Sequence, residues 1–229
     1  MLRTLKNYVR RRRLTSRGIV PEIRISTWTA GARSGMWTIA TESLAADGVV
    51  LSFGVGDNLA WELALIERFG VAVHAFDPTP ASVAWAAKQQ LPAGLRFHAI
   101  GLAGHDGELT FTLPARGSRF NFRPQDSGDS AVGGVKAPVR RLSTHLEHLG
   151  LDRVEILKLD IEGGEYASLD EVYSGRIAPR QLLLEFHHHF PGVGIPRTEE
   201  AVAKLRAAGY RIFHMSPRGL EMSFLRDER

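Results

Sequence analysis

The chain has 229 residues, 44% of them hydrophobic and 24% charged, enough for one globular domain that folds without a metal or a disulfide. It has no cysteine, which excludes a disulfide framework, thiolate zinc sites and cysteine nucleophiles. No uncharged run approaches the ~18 residues of a membrane span, and the formal net charge is only +4.

That charge is local. Arg3, Lys6, Arg10, Arg11, Arg12, Arg13 and Arg17 fall within residues 1–18, where there is no acid, and the rest of the chain is near neutral to slightly acidic. Such a segment serves as a solvated, partly disordered tail, or as a basic arm for nucleic acid, anionic lipid or an acidic partner. Only Tyr8 interleaves with the charges, so a stacking platform for single strands is not indicated and nucleic acid is the disfavoured partner. Arg13 leads directly into Leu14, Thr15, Ser16 and Arg17 with no apolar stretch, so the expectation is a cytoplasmic protein without a secretory leader. The domain reading is a basic arm over 1–20 and a single domain over 21–229.

From Val49 onward short apolar runs alternate with helix-period segments, the pattern of an α/β chain with a mainly parallel sheet. Residues 49–53 read as a buried strand ending in the turn Gly54-Val55-Gly56. Asn58 is positioned to cap a helix carrying Leu59, Leu63 and Ile66 at helical spacing, closed by Gly70. A second strand, 71–76, ends at Asp77, and Thr79 with Pro80 opens a helix to about Gln90. Residues 95–100 read as a third strand and the alternating 108–113 as a half-exposed one. Residues 114–134, rich in Gly, Ser, Pro and Arg and holding Arg119, Phe120, Asn121, Phe122 and Arg123, read as a lid or as a surface insertion. A helix from about Ser143 to Gly150, a strand 154–160, a helix 164–173 and a strand 181–187 follow. Thr198 is expected to cap a helix stopped by Gly209, and 210–215 with 222–225 to form a terminal hairpin.

Three constellations carry chemistry. Gly54-x-Gly56 between a strand and a helix, with Asp77 closing the next strand, is the arrangement that holds an adenosine-containing cofactor. Leu59 stands where a dinucleotide fingerprint places its third glycine, which counts against a nicotinamide oxidoreductase. No Walker-type Gly-Lys-Ser/Thr occurs, so a ligand with ribose and carboxylate but no phosphate, S-adenosylmethionine, fits best. The second is Lys158-Leu159-Asp160-Ile161-Glu162-Gly163-Gly164-Glu165. It puts Asp160 at the carboxyl end of a strand, with function and scaffolding both open for Asp160 and Glu162, and Glu165 read as support for a helix turn. The third is Glu185-Phe186-His187-His188-His189, whose carboxylate and imidazole suit a base, a divalent-ion site or a polar strand end. His74, His98, His145, His148 and His214 read as structural or surface residues.

Together, Val49 to Asn58, Phe76-Asp77-Pro78-Thr79-Pro80, Leu157 to Glu165 and Leu184-Glu185-Phe186-His187 resemble the FkbM-type methyltransferases over roughly residues 48–226. Ser52 departs from the Asp that many relatives carry there, and Asn58 from a frequent glycine. The resemblance implies a Rossmann-like class I S-adenosylmethionine-dependent methyltransferase fold, with seven mostly parallel strands, the last antiparallel, and helices on both faces. It implies O-methylation of a hydroxyl on a sugar or secondary metabolite, so the expected partner is a small-molecule or glycan acceptor. Cofactor contacts are expected from Phe53, Gly54, Val55, Gly56, Asp57, Asp77, Pro78 and Asp160. Asp160, Glu185 and His187 are the expected catalytic cluster, as a metal-free base in preference to ligands for a divalent ion. A non-catalytic module binding nucleic acid or an acidic partner through the basic arm is the rival reading.

Overall fold

The structure, a computed structural model, describes residues 2–32, 35–42, 44–45, 47–112, 123–124 and 134–227. In chain order it contains α1 (Leu2–Thr15), β1 (Thr27–Ala32), β2 (Gly35–Ala40), β3 (Val49–Phe53), α2 (Ala60–Phe69), β4 (Ala72–Phe76), α3 (Pro80–Ala86) and β5 (Leu95–His98). There follow β6 (Gly101–Leu102), β7 (Gly107–Thr112), β8 (Arg123–Pro124), β9 (Gly134–Arg140), α4 (Leu142–Leu149) and β10 (Ile156–Leu159). The chain continues through α5 (Glu165–Ser168), α6 (Asp170–Tyr173), β11 (Gln181–Glu185), α7 (Gly194–Ala207), β12 (Tyr210–Met215) and β13 (Glu221–Arg226).

Seven strands form one sheet in the order β12-β13-β11-β10-β3-β4-β5. The β11-β10-β3-β4-β5 run is parallel, and β13 lies antiparallel between β11 and β12. This is the expected α/β sheet. Its central strands are apolar on both faces, as strands covered on both sides must be. Leu51, Phe53, Leu157, Leu159, Leu182 and Leu184 join the core that holds residues of α4 to α7. Val50, Ile156 and Leu183 face the other way, into a core with Trp61 and Leu65 of α2 and Trp37 and Ile39 of β2. Ser52 and Lys158 lie two positions beyond Val50 and Ile156 and share their face, which puts these polar residues on the α2 side.

The sequence reading departs from the structure at several places. The stretch read as a solvated tail is helical, because nothing from Leu2 to Ser16 is Gly or Pro and long-chain residues dominate. Gly18, in the left-handed region, ends the turn, and Leu14 and Ile19 are fully buried in the main core. Burying a leucine in this way contributes about 1.5–3 kcal/mol. The β1–β2 hairpin had no reading at all. The alternating stretch does pair over 108–112, but in a separate four-stranded sheet, β6-β9-β7-β8, in which Pro138 hid the partner strand β9. The helix expected over 164–173 breaks at Leu169 into α5 and α6. Thr198 is no cap: α7 starts at Gly194, and Thr198 is buried within it. Of the 114–134 segment only Arg123, Pro124 and Gly134 belong to the described residues, and the expected lid lies outside them. Among the described residues no helix is long and apolar enough to cross a membrane.

Candidate active site

A cavity opens at the carboxyl ends of β3, β4 and β10, where a parallel sheet leaves a crevice. Phe53, Gly54, Val55, Gly56, Asp57, Asp77, Pro78 and Asp160 all line it, so the sheet brings every expected cofactor residue together. Gly54 and Gly56 sit at φ 79° and 57°, a region L residues avoid, which lets the loop turn back over the strand end. Asp77 is 5% exposed and organises both neighbouring loops. Its Oδ2 accepts the Gly56 N–H at 2.9 Å, and its Oδ1 accepts the Thr79 N–H at 3.0 Å and the Thr79 hydroxyl at 2.6 Å.

The wall of the cavity also holds a buried pair that the sequence reading missed. Lys158 and Glu62 both line it, with Trp37 and Trp61. Lys158 Nζ lies 4.0 Å from Glu62 Oε1 and 5.2 Å from the centre of the Trp37 ring. The Ser52 hydroxyl donates to Glu62 Oε1 at 2.5 Å. A lysine inside the apolar run Ile156-Leu157-Lys158-Leu159 was the available signal. Its partner is 96 positions earlier on a helix, and no spacing rule connects the two.

Beside the cavity lies the acid–imidazole cluster. β10 and β11 are parallel neighbours, so Asp160 and Glu185 end adjacent strands. Ligand atoms of Asp160, Glu185 and His187 all lie within 4.8 Å of one another. Two further carboxylates complete the group. Glu165 is fully buried: its Oε1 is 2.8 Å from His187 Nδ1 and also accepts the Ile161 N–H at 3.0 Å. Glu162 Oε2 lies 3.5 Å from His187 Nε2, and Asp160 Oδ1 3.9 Å from it. Glu162 is the one non-glycine residue in the left-handed region among those described, at φ 54°, followed by Gly163 at 104°. Strain of this kind, about 1–3 kcal/mol, persists only where surrounding contacts impose it. Glu165 imposes it here through hydrogen bonds to the Ile161 and Gly163 N–H groups.

Electrostatics assign the protons. Burial opposes a charge on His187, but Glu165, Asp160 and Glu185 outweigh it and lift its pKa to about 10. Burial, then Asp160 and Glu221, raise Glu185 to about 9, and burial also raises Asp160. Arg218 donates to Glu185 Oε1 at 2.8 Å and reaches Glu221 Oε1 at 2.8 Å. His188 and His189 go the other way. Burial first, then Arg10 for His188 and His187 for His189, push both to about 4. Three other histidines are engaged away from the cluster: His74 Nδ1 meets His98 Nε2 at 2.9 Å in a stack with Phe76, and His145 Nε2 meets the Gly101 carbonyl at 3.0 Å.

Residues 45–212 match the methyltransferase FkbM domain, nearly three quarters of the chain. The chain belongs to the FkbM methyltransferase family. This FkbM chain is 24% identical over 174 residues, 71% of its length, to a Homo sapiens protein described as probable methyltransferase-like protein 24. The crystal structure of the methyltransferase FkbM from Methylobacillus flagellatus matches with a TM-score of 0.52 at 14% identity, over 81% of this chain, a likeness of fold. The chain spans 41% of the human relative and 45% of the Methylobacillus chain.

Proposed function

We propose that this FkbM chain transfers a methyl group from S-adenosylmethionine to a hydroxyl of a sugar-type or secondary-metabolite acceptor. The observation that carries the reading is the cavity, which has one charge pattern for each end of that cofactor. Asp77, with one acceptor position left on Oδ2, suits the ribose. The buried Lys158–Glu62 pair offers a cation to a carboxylate and an anion to an ammonium, and so suits the amino-acid end. When bound, S-adenosylmethionine supplies a methyl already activated on a sulfonium.

What remains for the protein is to orient a hydroxyl and remove its proton, and orientation alone contributes about 7–11 kcal/mol in favourable systems. A second groove, between β7–β8 and the 162–168 and 190–197 segments, shares Leu102 and Glu162 with the cavity and suits the acceptor. Asp160, Glu185 and His187 remain the proposed cluster, with Glu162 added and the roles sorted by charge. His187, held as imidazolium by Glu165, orients the carboxylates. Glu162, which faces both spaces, and Asp160, which lines the cavity, receive the proton. No resident metal is assigned, and the cytoplasm is the proposed compartment. S-adenosylhomocysteine should raise the melting temperature by binding only the folded state, and NAD should not. No shift with either ligand overturns the cofactor reading.

A further inference from the structure

The basic segment at residues 1–18 plays no part in the proposed chemistry, yet it is not loose. Arg10 donates to the Arg218 carbonyl at 2.8 Å, and Arg218 in turn holds Glu185. α1 therefore lies against the turn between β12 and β13, whose Arg218 reaches the acid–imidazole cluster. Between α1 and residues 188–196 runs a groove lined by Lys6, Arg10, Arg13, Arg17, His188 and His189. Among the described residues no carboxylate lines it, and of its cations Arg17 is paired with Glu199. Burial and then Arg218 lower the pKa of Arg10, and the carboxylates of Glu221 and Glu185 offset part of that.

A second observation is independent of the charge. His188 is 6% exposed, lines the groove, and its Nε2 is buried with no hydrogen-bond partner. Its other nitrogen is accounted for. Tyr166 Oη is 2.9 Å from Thr198 Oγ1, which is 3.2 Å from His188 Nδ1. We assign the Tyr166 hydroxyl as donor to Thr198 and the Thr198 hydroxyl as donor to His188 Nδ1, which puts the ring proton on Nε2. On that assignment a residue of the groove wall carries a buried N–H donor without a partner. An orphaned buried donor costs about 1–3 kcal/mol unless a partner arrives.

We propose that this groove is a binding site for a phosphate- or sulfate-type oxyanion. Charge-assisted N–H donors from lysine, arginine and a neutral histidine are the chemistry that recognises such a group. The ring of His189 lies 5.7 Å from that of His187, so the site adjoins the reacting end of the cluster. On the methyltransferase reading, and resting on it, the anion is a group carried by the acceptor. The site itself stands without that reading.

Calorimetry at low salt separates the two. Inorganic phosphate and glucose 6-phosphate should bind the wild-type chain with one-to-one stoichiometry. The double variant Lys6→Ser/Arg13→Ser, both exposed positions, should weaken each by about tenfold or more. His188→Phe should weaken them by a similar factor with the cationic side chains unchanged, and His188→Gln, which keeps an N–H donor, should retain most of the affinity. S-adenosylhomocysteine should bind every variant as it binds wild type, which also reports folding. If glucose 6-phosphate binds more tightly than inorganic phosphate, the anion belongs to a larger ligand; equal affinities leave the oxyanion site and remove the acceptor assignment. Three results overturn the site: no saturable phosphate binding, equal binding by wild type and His188→Phe, or binding to phosphatidylglycerol vesicles that phosphate does not displace.

Discussion

Gly54 and Asp160 meet backbone to backbone: a Cβ on residue 54 would lie 1.6 Å from the Asp160 carbonyl oxygen. Both strand ends are tied further, Gly54 N–H to the Phe76 carbonyl at 2.9 Å and Asp160 N–H to the Phe53 carbonyl at 3.1 Å. The first glycine of the loop therefore brings two strand ends into contact as well as leaving room for a ligand. This close approach is what sets Asp160 at the cavity wall.

Gly54→Ala is expected to destabilise the fold by more than the roughly 1–2 kcal/mol that left-handed backbone alone costs an L residue, because the Asp160 carbonyl must also move. Gly70→Ala, at φ 71° with nothing within 4 Å of the added Cβ, should cost only about that backbone amount. Urea denaturation of the two variants checks this, and equal losses would show that the Gly54 contact is unimportant.

Lys158→Met with Glu62→Gln should lower affinity for S-adenosylhomocysteine by at least about tenfold, since one charge-assisted contact is lost at each end of the amino acid. Affinity for 5′-methylthioadenosine, which has no amino-acid end, should hardly change. The double change is preferable to either single one, because removing one member of a buried pair leaves an unpaired charge that costs about 3–5 kcal/mol. Equal losses for both ligands would remove the pair from amino-acid recognition.

What was legible in the sequence was what the strand ends dictate. In an open parallel sheet the carboxyl ends converge, so Gly54, Asp77, Asp160 and Glu185 were readable from their place after apolar runs. Glu165 was read as helix support and does reach back to loop N–H groups, yet its contact with His187 joins residues 22 positions apart. The Lys158–Glu62 pair and the burial of Leu14 are likewise long-range. They depend on which strand pairs with which, and no local period encodes that. Glu162 was visible as a residue, but its positive φ is imposed by the loop around it and not by any preference of glutamate.

The proton assignments give stability a definite pH slope. His187 rises from 6.5 to about 10 and Glu185 from 4.5 to about 9. A raised folded pKa gives stability that is complete below the unfolded value and lost as pH rises through the folded one. Between about pH 6.5 and 9 the folded chain keeps protons that the unfolded chain releases, so stability falls with rising pH, by up to about 1.4 kcal/mol per unit for each proton. Denaturation midpoints across that window should decline. A flat profile, or a His187 ring that titrates near its ordinary value by nitrogen NMR, would sink the imidazolium assignment.

The same protons bear on whether the cluster works by a base or through a metal. Oxygen and nitrogen ligands of this kind suit magnesium, manganese or zinc. One feature opposes a divalent ion: Arg218 already sits 2.8 Å from Glu185 Oε1, whereas the Glu165 contact on His187 Nδ1 is one that a metal-bound imidazole also makes. A cation entering between Asp160, Glu185 and His187 would have to strip the proton from His187 and face the Arg218 guanidinium. The carboxylates of Asp160 and Glu162 need neither change in order to accept a proton. Methyl transfer should therefore persist in EDTA. Glu162→Gln should lower turnover by about 10²–10⁴-fold, the usual share of a general base, while binding of S-adenosylhomocysteine is kept. His187→Ala should also lower turnover, since it frees the carboxylates from their orienting cation. Loss of activity in EDTA, restored by one divalent ion, would replace the base with a metal. Full activity in both Asp160→Asn and Glu162→Gln would take the proton acceptor out of this cluster altogether.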